Sequence, residues 1–397
     1  MASDDTVARV TASARLRDRH DIRATEAVSV ERSAIAGRTV ASAVTAPADV
    51  PPADFATMDG FAFRSGDDYP LDIVDSVAPA DDAPAIEGGE AVRIATGAPL
   101  PGRADAVLPR EDATVTEGRL SGPSLESGAN RFLAGATATA GEELFAPGAR
   151  LAPRHAALLA DVGVERVTVF RPLSVGVLAT GTEIHTGEQP DRDSEMLMNL
   201  VRQWGHDPTR LESVPDDLER VRTAIEAAAA DHDAVFTSGG TSVGAGDYVG
   251  RTLADHDPLF SGVELRPGRP LTVAVVEDTL VCAFPGKPLA AHTAATLVVR
   301  PAFTGSGGPL PTVRADPTRR VELPDAPFEY AIPVTLEDGR AKPLGGPASP
   351  KAVYGVRFAP GRVASSTRLT LADGVAVTTD PLVPGRPVDV VPHEVVE

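Results

Sequence analysis

The sequence holds one cysteine, Cys282. A single thiol excludes an internal disulfide and any multi-cysteine metal site. Lysine is almost as scarce: Lys287, Lys342 and Lys351 are the only three in 397 residues, so nearly all positive charge is arginine. No apolar run reaches the roughly 18–20 residues that a membrane span needs. The N-terminal stretch MASDDTVARVTASARLRDRH lacks the apolar centre of a signal peptide, so the chain reads as cytoplasmic, with no membrane partner. Cations are also outnumbered, 37 Lys and Arg against 56 Asp and Glu, for a net charge of −19. Nucleic acids and anionic membranes need clustered cations, and this balance argues against both. An acidic, aspartate-rich and lysine-poor composition fits a halophilic, salt-adapted cytosol. It therefore says more about habitat than about a ligand, and a basic residue near a site gains weight. No Gly-x-Ser-x-Gly elbow occurs, and no pair among the eight histidines has metal-ligand spacing.

Proline and glycine, in contrast, number 36 each and punctuate the whole chain, so long helices must be few. The length calls for two to four domains. Residues 1–48 begin helix-like and polar. Residues 49–137 alternate short apolar runs with Gly/Pro turns, the pattern of a small β-rich subdomain. Residues 138–170 return to a mixed pattern. In 171–306, apolar strands (LSVGVLATG, DAVFTSGG) alternate with helices (SEMLMNLVRQWG, DDLERVRTAIEAAAADH), and LTVAVVEDTLVCAFPG reads as a hairpin. That alternation predicts an α/β domain with a doubly wound, mostly parallel sheet. Residues 307–397 read as a small C-terminal β-barrel.

In an open α/β sheet, ligands bind beyond the carboxyl ends of the strands. Three loops fall at such ends: ATGTEIHTG, TSGGTSVGAGDY and FPGKP. Each is rich in small residues and leads into a helix N-terminus, where N–H groups and the dipole favour phosphate. The glycine-rich one is not a P-loop, because no Gly-Lys-Ser/Thr follows. It is not a dinucleotide fingerprint either, because Val249 stands where the third glycine belongs. It ends instead on a carboxylate, Asp247. Together with Glu183 of the first loop, that acid makes sense if a hard cation, Mg²⁺, sits between acid and phosphate. Each acid also has a plainer explanation. Asp247 could cap the helix from Tyr248, Glu183 could be a solvated loop acid, and Asp216 with Glu219 forms a D-x-x-E capping box. The RPGRP turn sets Arg266 and Arg269 three residues apart for oxyanion binding, and Lys287 adds a cation near the same edge. Cys282 lies in an apolar strand and reads as buried and inert.

These stretches, with PPADFATMDGFAFR and RIATGAPLPGRADAVLPRED upstream, follow one order along nearly the whole chain. In that order they resemble the molybdopterin molybdenumtransferase family, of the MoeA and gephyrin E-domain type. The resemblance implies four subdomains, with 1–48 and 138–170 as a linker and dimerisation unit and 171–306 similar to the molybdopterin adenylyltransferase fold. It implies a homodimer with a cleft shared between subunits, molybdate and adenylylated molybdopterin as substrates and Mg²⁺ as cofactor, and it allows for a molybdopterin adenylyltransferase as partner. It makes Asp59, Thr96, Glu183, Asp216 and Asp247 the functional acids and hydroxyl, with Glu183 and Asp247 on the metal. Ser238, Gly239, Gly240, Ser242, Arg266, Arg269, Pro285, Gly286, Lys287 and Pro288 then bind substrate. The sequence also departs from the family pattern. Ala136 and Thr137 replace two acids after Gly135, and Glu195 replaces an asparagine. Lys287 replaces another asparagine, Ala290 a serine, and an expected arginine is absent near Tyr330–Ile332. These departures leave a second possibility, a non-catalytic carrier of molybdopterin or the finished cofactor.

Overall fold

The protein is described by a computed structural model that covers residues 6–19, 25–239, 247–305 and 307–397. Its centre is a six-stranded sheet in the order Asp207–Arg210, Ser174–Ala179, Ala234–Ser238, Thr279–Phe284, Thr272–Val276, Asp257–Ser261. The first four strands run parallel, and the last two join antiparallel as a hairpin and an edge.

Residues Ala234–Ser238 show why the sheet needs cover on both faces. All five are buried, and alternate side chains leave by opposite faces. Ala234 and Phe236 enter one core with Trp204, Phe284 and Phe303, while Val235 enters another with Val221, Ile225 and Leu253. Phe236 packs edge-on to Phe284 and Phe303, at ring-centroid distances of 5.1 and 5.2 Å. Burying a ring of this size contributes about 1.5–3 kcal/mol. Cys282 is fully buried in the first core, and burial pushes its thiol far up, so it is inert as expected. Helix Asp193–Gln203 ends before Gly205, whose φ of +93° reverses the chain. Helical structure then runs without a break through Pro288–Ala294, the π-turn Ala295–Val299 and Arg300–Thr304, buried along this length.

Upstream, Ala106–Pro109, Gly60–Phe63, Glu90–Ile94, Leu71–Val77, Arg119–Ser121 and Thr114–Thr116 form a second six-stranded sheet. The chain on either side of it is knitted together: Ala27–Glu31 pairs with Arg166–Phe170, and Val44–Thr45 with Glu143–Phe145. Helix Arg9–Arg19 packs elsewhere. Its Ala12 and Leu16 enter the central core, and Ser13 Oγ donates to Val298 O at 2.9 Å.

The C-terminal sheet closes on itself. Glu329–Glu337, Arg340–Pro343, Val313–Pro317, Val388–Pro392 and Gly374–Thr378 pair in sequence, and the last also pairs with the first. This closure makes a barrel and removes the exposed edges. Leu265–Arg266, from the central domain, adds to it in parallel beside Glu329 and Tyr330. The arginine turn is thereby pinned between the two domains.

Candidate active site

Three loops leave the carboxyl ends of neighbouring parallel strands and rest on one another. Thr180 N donates to Ser238 O at 2.9 Å. Gly239 adopts φ +88°, and a Cβ there would lie 2.5 Å from Thr180 O; a Cβ on Gly286 would meet Gly239 Cα at 3.0 Å. Only glycine allows backbone to approach backbone this closely.

A pocket of about 490 Å³ is lined by Glu183 from the first loop, Gly239 from the second and Pro285, Gly286 and Lys287 from the third. The turn Arg266–Pro270 and Ala290 complete the central-domain wall, and Pro360, Gly361 and Ala364 of the C-terminal region supply the rest. Arg266 Cζ lies 4.1 Å from the Phe328 ring centroid and Arg269 Cζ 5.7 Å. A guanidinium stacked on a ring is held in place while its in-plane N–H groups remain suited to oxyanions. Lys287 Nζ lies 3.5 Å from Gly361 O, so the third cation spans the domain boundary. Three cations on one pocket stand out in a chain of net charge −19.

A smaller pocket of about 100 Å³ shares Glu183, Gly239 and Gly286 and adds Ser238, Pro288 and Asp193. Asp193 is 6% exposed. Its Oδ2 accepts from Ser238 Oγ at 2.9 Å, while its Oδ1 has no partner among the described residues. Burial raises its pKa above the usual carboxylate value, with the Ser238 hydrogen bond opposing. A buried carboxylate oxygen without a donor is costly and marks a place where a ligand can contribute.

The other predicted residues are placed as follows. Asp247 caps helix Tyr248–Ala254, accepting from Gly250 N at 2.8 Å, and burial raises its pKa. It is not among the described lining of either pocket. Asp216 does not cap the helix that follows it. Asp217 does, accepting from Arg220 N, because the helix starts at Leu218. Asp216 instead accepts from Thr182 N at 3.1 Å, and its own N–H donates to Thr182 Oγ1, which ties it to the loop bearing Glu183. Asp59 and Thr96 lie far along the chain in the N-terminal sheet region, both exposed. They satisfy each other: Asp59 Oδ1 accepts from Thr96 N at 2.7 Å and from Thr96 Oγ1 at 2.8 Å, which lowers the Asp59 pKa. Gly240 and Ser242 lie in 240–246, outside the described residues.

Residues 1–163 match the MoeA N-terminal region (domain I and II), and 176–305 match the probable molybdopterin binding domain. A molybdopterin molybdenumtransferase from Staphylococcus epidermidis is 31% identical over 288 residues, 67% of this chain and 68% of that one. The chain belongs to the molybdopterin molybdenumtransferase family. A family member from Bacillus subtilis is 33% identical over 300 residues, 70% of this chain and 69% of its own. The crystal structure of a molybdopterin biosynthesis MoeA protein from Pyrococcus horikosii superposes with a TM-score of 0.70 at 27% identity, covering 98% of this chain and 99% of that chain. The family assignment and the MoeA-like fold agree with what the motifs implied. No helix among the described residues is long and apolar enough to cross a membrane.

One part of each pocket has no clear signal in the sequence. Asp193 is one, since nothing local in the sequence says that its side chain is buried. Pro360, Gly361 and Ala364 sit in a region read as barrel alone, although APGRVAS carries the N-terminal proline of a short helix.

Proposed function

We propose that this chain inserts molybdate into adenylylated molybdopterin with release of AMP, and that the 490 Å³ pocket is where this happens. The observation that carries the proposal is the convergence of Arg266, Arg269 and Lys287 on a pocket whose wall includes Gly239 and Gly286 from loops at the ends of parallel strands. Membership of the family makes the chain a transferase of molybdenum cofactor biosynthesis; the residue roles are our assignment. The loops at Gly239 and Gly286, with the helix N-terminus at Pro288, present backbone N–H groups to phosphate. Arg266 and Arg269 hold an oxyanion in a fixed orientation. A water oxygen then attacks the AMP phosphorus and the bond from that phosphorus to the bridging oxygen breaks; AMP departs carrying the water oxygen, the pterin keeps its own phosphate with the bonding pair, and the water proton passes to solvent. No protein nucleophile is needed, because positioning and fixed charges lower the barrier.

The donors fit a hard cation. Glu183 and the unpartnered Oδ1 of Asp193 belong to one small pocket and offer oxygens only, the ligand type Mg²⁺ takes. When bound, Mg²⁺ would supply neutralising charge at the phosphate. Asp247, expected to share that ion, accepts from Gly250 N as its helix cap, so Glu183 and Asp193 are the pair we assign to the metal. Asp59 and Thr96 are proposed to act in a homodimer, meeting the cleft of the second subunit, with a molybdopterin adenylyltransferase delivering the substrate.

Incubation of the protein with adenylylated molybdopterin, Mg²⁺ and molybdate at high salt should release AMP. Tight binding of the adenylylated pterin with no AMP would leave the carrier reading instead. Ala290 motivates that reading, since it lines the pocket where the family commonly has serine.

A further inference from the structure

His292 meets His393 and Glu397, which lie far from it along the chain, outside both pockets. His292 stands on the long buried helix, one turn after Pro288. His393 and Glu397 stand one turn apart on the C-terminal segment, so their side chains share a face. One ligand atom from each of the three residues falls within 4.8 Å of the others. His292 and His393 are 6% and 8% exposed, while the Glu397 side chain is 44% exposed. The two imidazoles sit edge to face, with centroids 4.9 Å apart.

Hydrogen bonding within the cluster is incomplete. His292 Nε2 and Glu397 Oε1 are 2.7 Å apart. His292 Nδ1 and both ring nitrogens of His393 are buried without a partner among the described residues. A buried imidazole with neither nitrogen satisfied is rare in a folded protein and calls for a ligand that accepts its lone pair.

We propose that His292, His393 and Glu397 bind one zinc ion, with a fourth position open to water on the exposed Glu397 side. Two imidazoles and a carboxylate are a known zinc donor set. Zinc–nitrogen bonds of about 2.0–2.1 Å put tetrahedral ligands about 3.3–3.5 Å apart, so no pair needs to close by more than about 1.5 Å. The ion would clamp the segment His393–Val396 to the helix that begins at Pro288, and would thereby fix the wall carrying Pro288 and Ala290. The site is independent of the proposed reaction, and its test needs no substrate.

The protein is stripped with a chelator, incubated with Zn²⁺ in buffer containing 1 M KCl and excess Mg²⁺ to suppress adventitious binding to the acidic surface, and then gel-filtered. The expected result is about one zinc per chain, with none retained by His393→Ala and at least tenfold weaker retention by Glu397→Gln, whose exposed side chain makes misfolding an inadequate explanation. Zinc should raise the wild-type melting temperature by roughly 3–6 °C at a hundredfold excess over Kd, and should not do so for His393→Ala. Cobalt-loaded wild type should show the visible absorption of a tetrahedral nitrogen–oxygen site. Less than a tenth of an equivalent in the wild type, or retention shared equally by both variants, overturns the proposal.

Discussion

The pocket of the central domain and the Asp59–Thr96 pair of the N-terminal sheet were equally plain as motifs, yet they are built in opposite ways. In the pocket, glycine backbones touch and three cations converge, while in the smaller adjoining pocket Asp193 keeps a buried oxygen unpartnered among the described residues. Asp59 and Thr96 are exposed and already satisfy each other. The first region is a cavity with bonding capacity to spare. The second is a preformed polar tip that needs a surface brought to it. The contrast is compatible with the cleft proposed above to be shared between two subunits, in which one subunit's pocket would hold the substrate and the partner's exposed pair would complete it.

The largest effect is expected from the glycine contact. Gly239→Ala would force a Cβ to within 2.5 Å of Thr180 O at φ +88°. Loss of about 2–4 kcal/mol in urea unfolding and near-complete loss of AMP release should follow. The comparison itself is sharpened by mixing subunits. Asp59→Asn and Arg266→Ala should each be severely impaired alone. If the cleft is shared, co-refolding the two in equal amounts should restore roughly a quarter of wild-type turnover, because half the dimers then hold one intact site. No recovery on mixing would place both residues in the same subunit's site.

Asp193→Asn removes a buried charge but keeps a side chain that can accept from Ser238. Chemical denaturation at pH 7 should show stability unchanged or raised by about 1 kcal/mol, while the Mg²⁺ dependence of AMP release weakens. Unchanged Mg²⁺ dependence would assign Asp193 to structure only.

The smallest effect lies away from both regions. Arg171 holds the Asp233 carboxyl at about 2, below its ordinary value, aided by bonds from Ser174. A depressed carboxylate stabilises the folded state above its unfolded pKa, and that stabilisation is lost as pH falls from about 4 to about 2. Asp233→Asn should cost about 1 kcal/mol at pH 7, as for a partly exposed pair. The gap from wild type should shrink in acid; a gap that persists at pH 2 would contradict the assignment.

Much of this organisation was legible in the sequence, because it rests on local rules. Buried strands such as DAVFTSGG, loops at their carboxyl ends, and the scarcity of Lys287 among so many acids all pointed to one edge of one sheet. What was not legible depended on long-range contact or on fine register. The capping box at Asp216 and Glu219 was one residue out of place, and that shift freed Asp216 to bind Thr182. The closure of the barrel by Gly374–Thr378 on Glu329–Glu337 has no local signal. The burial of Asp193 and the meeting of His292 with His393 are likewise products of tertiary packing, not of spacing.

The central claim is that the arginine-lined pocket is where the adenylylated substrate reacts. It is tested most directly by AMP release from adenylylated molybdopterin in excess molybdate, comparing wild type with the Arg266→Ala/Arg269→Ala double variant. The Phe328 stacking that the double variant removes is worth about 0.5–1 kcal/mol for each arginine, and a melting curve that stays cooperative checks that the variant is folded. The account predicts at least a hundredfold slower AMP release from the folded double variant. A folded double variant that releases AMP at the wild-type rate would contradict it.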